Sequence, residues 1–486
     1  MLAVIVLEIL KRIPLIFSTI IKHFKHGPPQ PSWDLKVHLI VSIAGTLGAP
    51  PYKKFTIEVA QSSIPIFTYK IPSDLKLYET SIPHEYRINA QAYIEKIVKP
   101  YNIVIDPIWK TPRNDEIKGE LIMDKDWNEE NDWEKEKIVL YLHGGAYSTG
   151  NSKIAHDFCC KLSRTSGARI FTISYRLAPQ NPFPSALCDS LAAYLYLMNP
   201  PKDSGFKAYK PEQIVFGGDS AGGGLVVSLG LAIRDLGLPL PAGIVSWSPW
   251  TDLTHSMPSF NDTAVDETDF LPLLPGFKFA RNTNSDAYRE FRTRSGNIIR
   301  NIQKNPEIKI IGDESLKRIG NQSVSFYVVN EGLGIPYVSP MLAESLGGLP
   351  PLLIIAGNVE RLRDEAVYLA YRASNPEKYR LPKYEVDFDN SRFKSPSKQV
   401  ILEIYDEMFH NFHVRHFYSH LEAAKVTVRR ASEFISTVIQ EALQANPTSN
   451  KFETYKITYQ GEVQNFDESS IEHVLTWDKA GVFPGV

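Results

Sequence analysis

Ser220 lies at the centre of a Gly-x-Ser-x-Gly pattern that runs from Gly218 to Gly222. An apolar, β-branched stretch at 213–217 precedes this pattern, and a stretch with helical periodicity at 223–229 follows it. A serine at the tip of a sharp turn between a strand and a helix projects its hydroxyl, and the strained turn needs small neighbours. The spacing therefore predicts a nucleophilic serine, with an ordinary Gly/Ser-rich turn as the alternative.

A serine hydroxyl is a poor nucleophile at neutral pH, and it needs a base and an acid that orients the base. His410 is the predicted base, because it lies in a short loop directly after an apolar strand predicted at 399–405. Glu360 is the predicted acid, because it closely follows a strand predicted at 351–356. Asp364 is the second candidate, although its place at the start of a predicted helix is typical of an N-cap.

Donors for an oxyanion are predicted in a loop upstream of the serine. The sequence His143-Gly-Gly-Ala146 directly follows an apolar strand predicted at 138–142. Glycines let backbone N–H groups approach a substrate without a Cβ in the way. We therefore expect the N–H groups of Gly144, Gly145 and Ala221 to bind the oxyanion. A glycine turn after a buried strand, without a catalytic role, is the alternative.

Three aromatic residues follow predicted core strands near the expected site. Tyr147, Trp247 and Trp250 are candidates for an acyl pocket, and packing in the core is the equal alternative. The histidines after residue 405 have no accompanying Cys or carboxylate spacing, so no metal site is predicted. The serine chemistry needs no cofactor.

The elements that must position these residues alternate between strands and helices. This rhythm predicts a doubly wound, mostly parallel sheet with helices on both faces, that is, an α/β-hydrolase fold. Further strands are predicted at 169–175 and 242–247, and helices at 152–166, 185–198, 364–373 and 418–445. The charged stretch 256–335 interrupts the rhythm and predicts an inserted cap, with a surface loop as the alternative.

Four regions follow from this pattern. Residues 1–28 form an amphipathic or membrane-anchoring segment, and residues 29–110 form a cap-forming N-terminal region. Residues 111–445 form the α/β-hydrolase domain, and they contain the insertion 256–335. Within this domain the charged stretch 113–137 is predicted to be a loop. Residues 446–486 are a polar C-terminal extension.

Several motifs together resemble those of the hormone-sensitive-lipase-like α/β-hydrolases, from about residue 137 to 441 without the insertion. They are His143-Gly-Gly-Ala, Tyr175-Arg-Leu-Ala-Pro-Gln-Asn-Pro-Phe-Pro184, Gly217-Gly-Asp-Ser-Ala-Gly-Gly223, Ser248-Pro-Trp-Thr-Asp-Leu253, Leu362-Arg-Asp-Glu365 and Met408-Phe-His410. The resemblance implies hydrolysis of carboxylic esters through an acyl-enzyme. It also implies an aspartate where this chain has Glu360, and carboxylates interchange in that role. Relatives with an N-terminal membrane segment suggest an apolar lipid or short-acyl sterol ester as substrate.

The first residues have the length of a membrane span but are interrupted by charges. Glu8, Lys11 and Arg12 lie in the middle of the apolar stretch 2–24, and polar residues recur at helical spacing. This pattern is typical of an amphipathic helix in a membrane interface, with a helix packed on the protein body as the alternative. We expect residues 1–28 to contact a membrane surface, and we expect an intracellular, membrane-associated protein of the endoplasmic reticulum or lipid droplets.

Bulk composition excludes some other classes. The chain of 486 residues is 43% hydrophobic and 22% charged, which is enough for a large core. A net charge of −2 implies no nucleic-acid partner, and three cysteines are too few for a disulfide framework. A small-molecule ester is the expected partner, and the oligomeric state is left open. The alternatives to an enzyme are a non-catalytic small-ligand receptor and a membrane-associated scaffold on the same fold.

Overall fold

The computed structural model describes residues 10–47, 56–63, 69–127, 135–202, 204, 207–271, 283–305, 324–381, 393–414, 418–444 and 450–484. Its strands are β1 (Leu75–Ile82), β2 (Ile117–Asp124), β3 (Ile138–Leu142), β4 (Arg169–Ile173), β5 (Ile214–Asp219), β6 (Gly243–Trp247), β7 (Leu352–Gly357), β8 (Gln399–Tyr405), β9 (Lys451–Ile457) and β10 (Val463–Asn465). They form one sheet in the order β1-β2-β4-β3-β5-β6-β7-β8-β9-β10. All pairings from β4 to β9 are parallel, and those of β1, β2 and β10 are antiparallel. The predicted mostly parallel sheet is confirmed.

Helices cover both faces of this sheet. They are α1 (Ile13–His26), α2 (Leu35–Leu47), α3 (Ile57–Ser63), α4 (His84–Val98), α5 (His156–Ser166), α6 (Ser185–Met198), α7 (Ala221–Leu236), α8 (Pro258–Asn261), α9 (Asp286–Lys304), α10 (Arg363–Ser374), α11 (Glu422–Leu443) and α12 (Glu472–Leu475). Successive strand residues point to opposite faces, so Leu140 joins the core under α4, α6, α7 and α10. Its neighbour Tyr141 joins the core under α2, α5 and α11.

Three stretches of the sheet differ from the sequence prediction. Residues 113–137 were expected to be a loop, but β2 lies there and pairs with β4. Residues 29–110 were expected to form a cap, but β1 is an edge strand of the main sheet and α4 packs on its core. The predicted extension 446–486 contributes β9, which pairs in parallel with β8 over its whole length. These strands have polar residues among their apolar ones, so their apolar periodicity is too weak to be recognised from sequence.

The insertion meets the N-terminal helices. The Glu58 carboxylate of α3 accepts hydrogen bonds from Ser285 Oγ at 2.8 Å and from Ala287 N at 3.0 Å, at the start of α9. Lys22 of α1 lies 2.5 Å from Glu267, which follows α8. Residues 1–9, 272–282 and 306–323 of the predicted anchor and insertion lie outside the described part of the chain.

Candidate active site

Ser220 occupies a strained turn between β5 and α7. Its φ of 55° and ψ of −123° lie in a region that non-glycine residues rarely adopt, and the side chain is almost fully buried. Two glycines allow the turn, because a Cβ on Gly222 would lie 2.0 Å from the Leu142 carbonyl oxygen and one on Gly218 2.4 Å from the Gly222 oxygen. The Ser220 N–H donates to the Trp247 oxygen at 2.9 Å. Backbone packing therefore fixes the direction of the hydroxyl.

His410 is in contact with this hydroxyl. Its Nε2 lies 2.9 Å from Ser220 Oγ, although the two residues are 190 positions apart in the chain. The loop that carries His410 begins where β8 ends, and its Met408 oxygen accepts a hydrogen bond from Val359 N at 3.1 Å. The structure thus brings the predicted nucleophile and the predicted base within hydrogen-bonding distance.

Glu360, not Asp364, faces the imidazole. Glu360 Oε2 lies 3.7 Å from His410 Nδ1, which is the separation of an ion pair rather than of a hydrogen bond. The same oxygen accepts a hydrogen bond from Ser248 Oγ at 2.8 Å. Asp364 instead accepts from Ser259 N at 2.8 Å at the start of α10. The N-cap of α10 is Leu362, and the Asp364 carboxylate bonds to Ser259 in α8, so the predicted capping role of Asp364 is wrong.

The oxyanion donors differ in part from those predicted. Gly144 N donates to Asp219 Oδ1 at 3.0 Å, so this amide is engaged within the protein and the prediction of Gly144 as a donor is wrong. The next two amides, of Gly145 and Ala146, have no acceptor among the described residues. Ala221 is the first residue of α7, and the N–H at that position has no intrahelical acceptor. The structure therefore offers Gly145, Ala146 and Ala221.

Asp219 joins three elements around the serine, and sequence reasoning missed it. Its carboxylate accepts the Gly144 amide, the Tyr141 hydroxyl at 2.7 Å and the Asn411 side-chain amide at 2.9 Å. Asn411 directly follows His410, and its own N–H donates to Ser248 Oγ at 3.2 Å. One buried carboxylate thus ties the oxyanion loop and the histidine loop to the end of β5. The sequence signal that could have identified Asp219 is a charged residue at the end of an otherwise apolar strand, directly before the serine.

Buried charges set the protonation of the base and the acid. Burial alone would lower the pKa of His410, but the nearby carboxylates of Glu360, Asp269 and Asp219 outweigh it and raise that pKa above its ordinary value. Burial also raises the pKa of Glu360, while the contact with His410 opposes the rise. An imidazole among carboxylates is prepared to accept a proton, which is what a general base requires.

His143 supports the oxyanion loop rather than the chemistry. Burial lowers its pKa to about 4, so the ring is neutral at physiological pH. The ring stacks on Tyr175 at a centroid distance of 4.2 Å, and the Tyr175 hydroxyl donates to the His143 oxygen at 2.6 Å. This packing explains why a histidine precedes the two glycines.

The three candidate pocket residues separate into two groups. Tyr147 stacks on Tyr327 at 3.9 Å, and Trp250 lies 6.0 Å from Tyr147 between ring centroids. The backbone N–H of Trp250 donates to the backbone carbonyl oxygen of Ser220 at 3.0 Å, so Trp250 and Tyr147 lie beside the nucleophile turn. Trp247 is fully buried against Phe158 in the other core, so the structure places it away from a pocket.

Comparison with known proteins finds hydrolases that are similar to parts of this chain. Residues 139–289 match the family model described as alpha/beta hydrolase fold. The acetyl-hydrolase of Streptomyces hygroscopicus is 28% identical over 311 residues, which are 63% of this chain and 78% of that protein. Mouse hormone-sensitive lipase is 34% identical over 139 residues, which are 28% of this chain and 17% of the lipase.

A solved structure extends the likeness to most of the fold. The crystal structure of the esterase EstE5 soaked with p-nitrophenyl butyrate has 25% sequence identity and a TM-score of 0.52, covering 84% of this chain and all of that chain. The predicted fold is confirmed. The chain is similar to the hormone-sensitive-lipase-like α/β-hydrolases. It is a carboxylic ester hydrolase.

Proposed function

We propose that this hydrolase works through an acyl-enzyme on Ser220, with His410 as the general base and Glu360 as the acid that orients it. The observation that carries the proposal is the 2.9 Å contact between His410 Nε2 and Ser220 Oγ at a strained strand-to-helix turn. In the proposed reaction, His410 removes the hydroxyl proton as Oγ attacks the ester carbonyl. The amides of Gly145, Ala146 and Ala221 are the proposed donors to the oxyanion.

Collapse of the tetrahedral intermediate releases the alcohol, which takes the proton from His410. Water then attacks the acyl-enzyme while His410 takes its proton. Collapse of the second tetrahedral intermediate releases the carboxylic acid, and His410 returns the proton to Ser220 Oγ. Glu360 holds the imidazole so that Nε2 faces the serine, and its negative charge stabilises the imidazolium that forms in each half-reaction. The 3.7 Å separation permits that ion-pair attraction.

For the acyl side of the substrate we propose a short chain. Tyr147, Tyr327 and Trp250 form an aromatic wall beside the nucleophile turn, and Tyr147 and Tyr327 are almost fully buried. Rings that pack face to face leave little room for a long acyl chain in that direction. The name of the acetyl-hydrolase relative supports the same choice.

For the alcohol side we propose an apolar lipid or sterol presented by a membrane. Helix α1 and the residues directly before it carry a stripe of exposed apolar side chains at helical spacing: Leu10, Ile13, Phe17, Ile21 and Phe24. Phe17 is 62% exposed and Phe24 is 75% exposed, which is unusual for phenylalanine on a protein in water. The basic residues Lys25 and His26 end the helix and favour anionic headgroups.

This stripe supports interfacial attachment rather than insertion across the membrane. None of the helices in the described ranges is long and apolar enough to cross a bilayer. We propose an intracellular membrane, of the endoplasmic reticulum or of lipid droplets. All three cysteines, Cys159, Cys160 and Cys188, are buried and unpaired, which agrees with a reducing compartment.

Two measurements test these proposals. Across p-nitrophenyl esters from acetate to palmitate, we expect kcat/KM to peak at the short acyl chains, and a peak at palmitate would refute the short-acyl substrate. In vesicle flotation with anionic liposomes, the Phe17→Ser/Phe24→Ser double variant should lose binding and keep its turnover of p-nitrophenyl acetate. Ile88→Ser removes an exposed apolar side chain from α4 and is the matched control. Equal binding by the double variant and the control would refute attachment through α1.

A further inference from the structure

Residues of the insertion hold the loop that carries Glu360 from both sides. Thr268 Oγ1 donates to the Val359 oxygen at 3.0 Å, directly before Glu360. Asp269 Oδ2 accepts a hydrogen bond from Arg361 N at 2.7 Å, directly after it. Because these two contacts flank Glu360 in the backbone, they fix the place from which its side chain extends.

The Arg361 side chain in turn contacts the insertion. Its Nε donates to the Leu271 oxygen at 2.9 Å, and its Nη1 donates to the Phe260 oxygen at 2.9 Å. Its Nη2 forms an ion pair with Asp266. The Arg361 side chain is almost fully buried, whereas its partner Asp266 is half-exposed. Asp269 and Arg361 therefore form a reciprocal clamp between the insertion and the acid loop.

The clamp also reaches the catalytic imidazole. Phe270 directly follows Asp269, and its ring lies edge-on to His410 at a centroid distance of 5.5 Å. The Asp269 carboxylate is buried, and its second oxygen accepts from Leu271 N at 3.1 Å. Among the described residues, Glu360, Asp269, Asp219 and His413 are titratable groups that interact electrostatically with His410.

We propose that Asp269 and Arg361 are positioning residues for ester hydrolysis, which hold Glu360 against His410 and make the insertion part of the catalytic machinery rather than a cover alone. Neither side chain has a step in the proposed mechanism, and the proposal rests on that mechanism. Glutamate has one more rotatable bond than aspartate, so an acid loop with glutamate needs firmer anchoring to keep its carboxylate at the imidazole.

Charge and geometry at Asp269 can be separated by substitution. Asp269→Ala removes both the acceptor for Arg361 N and the negative charge. Asp269→Asn keeps one acceptor oxygen and removes the charge. Because the Asp269 carboxylate helps to raise the pKa of His410, both variants should move the acidic limb of the kcat/KM profile to lower pH.

The test measures kcat, KM and the pH profile with p-nitrophenyl acetate for both Asp269 variants and for Arg361→Ala and Arg361→Lys. Active sites are counted by saturating labelling with a fluorophosphonate. We expect kcat per active site to fall about 10- to 100-fold for Asp269→Ala and Arg361→Ala with KM little changed. The conservative Asp269→Asn and Arg361→Lys should recover part of that loss. Asp286→Asn, an exposed residue at the start of α9, is the matched control.

Two results would overturn the clamp. The first is a kcat within twofold of Asp286→Asn with an unmoved acidic limb. The second is lost activity that disappears once it is divided by the count of active sites, because that pattern reports folding alone. Ser220→Ala and Glu360→Gln are measured in parallel. If those two stay active, the proposed function fails, whereas if only the clamp variants behave like the control, the clamp alone fails.

Discussion

The turn that carries Ser220 and the loop that carries Glu360 are held in different ways. The serine turn lies between two core elements, and glycines let it pack against backbone at distances that admit no Cβ. The glutamate loop also follows a core strand, but side chains of the insertion hold it through hydrogen bonds to Val359 and Arg361. Packing against core backbone holds the nucleophile turn, whereas the acid loop is held both by backbone contacts to the His410 loop and by polar contacts from an added segment. The first arrangement tolerates little change, and the second can be altered residue by residue.

The largest effect is expected at the serine turn. His410→Ala removes the group that accepts the Ser220 proton, so kcat should fall by about 10⁴- to 10⁶-fold in steady-state assays with p-nitrophenyl acetate. His420→Ala, at a half-exposed histidine 3.0 Å from Asp34, is the control and should retain activity. A near-normal kcat in His410→Ala would contradict the assignment of His410 as the general base.

At the acid loop the loss should be smaller. Glu360→Gln keeps the shape of the side chain and removes the charge that stabilises the imidazolium, so we expect kcat to fall about 10³- to 10⁴-fold. Asp364→Asn should leave kcat within a few fold of the wild type. It should lower the melting temperature, because the buried Asp364 carboxylate in α10 accepts a hydrogen bond from Ser259 N in α8. The opposite ranking of the two variants would assign the acid to Asp364.

The steric side of the comparison is tested by stability. Gly222→Ala places a Cβ 2.0 Å from the Leu142 oxygen, and a strand carbonyl cannot move aside. We expect the free energy of unfolding to fall by about 1–3 kcal/mol or more in urea titrations. Gly296→Ala in α9 meets only a flexible arginine at 3.5 Å and should stabilise the protein slightly. Equal effects at the two glycines would contradict the close packing of the turn.

The smallest expected effect is a shift in pH dependence. His410 must be neutral to accept a proton, and carboxylates hold its pKa above the ordinary 6.5. The wild-type kcat/KM should therefore decline as the pH falls through a value above 6.5. In Glu360→Gln the remaining activity should decline at a lower pH than in the wild type, because the substitution removes a negative charge that raises the pKa of His410. If the kcat/KM of the wild type declined only below pH 6.5, that result would contradict a raised pKa of His410.

The nucleophile and the base could be predicted from the sequence because local patterns encode them. Ser220 and His410 each follow an apolar strand, and the structure brings them together. The error at Gly144 arose because its amide donates to Asp219, a partner 75 residues away that no local pattern reveals. For Trp247 the structure supports core packing, one of the two alternatives, and the sequence could not decide between them because the face to which a strand residue points depends on register.

The acid and the residues that hold its loop were harder to predict from the sequence. Glu360 could be proposed from its place after a strand, but Asp269 and Arg361 lie in charged stretches without periodicity. Their roles depend on a contact between segments 92 residues apart. The strands β1, β2 and β9 were missed because partly polar strands become recognisable only when a neighbour supplies their hydrogen bonds.

Covalent labelling tests the central claim most directly. The wild-type protein, treated with a fluorophosphonate and measured by intact mass, should gain one adduct that peptide mapping places on Ser220. Ser220→Ala should gain none, while Ser228→Ala, which removes a buried hydroxyl from the same helix α7, should label like the wild type. An adduct that persists in Ser220→Ala would contradict the assignment of Ser220 as the nucleophile and, with it, the proposed acyl-enzyme.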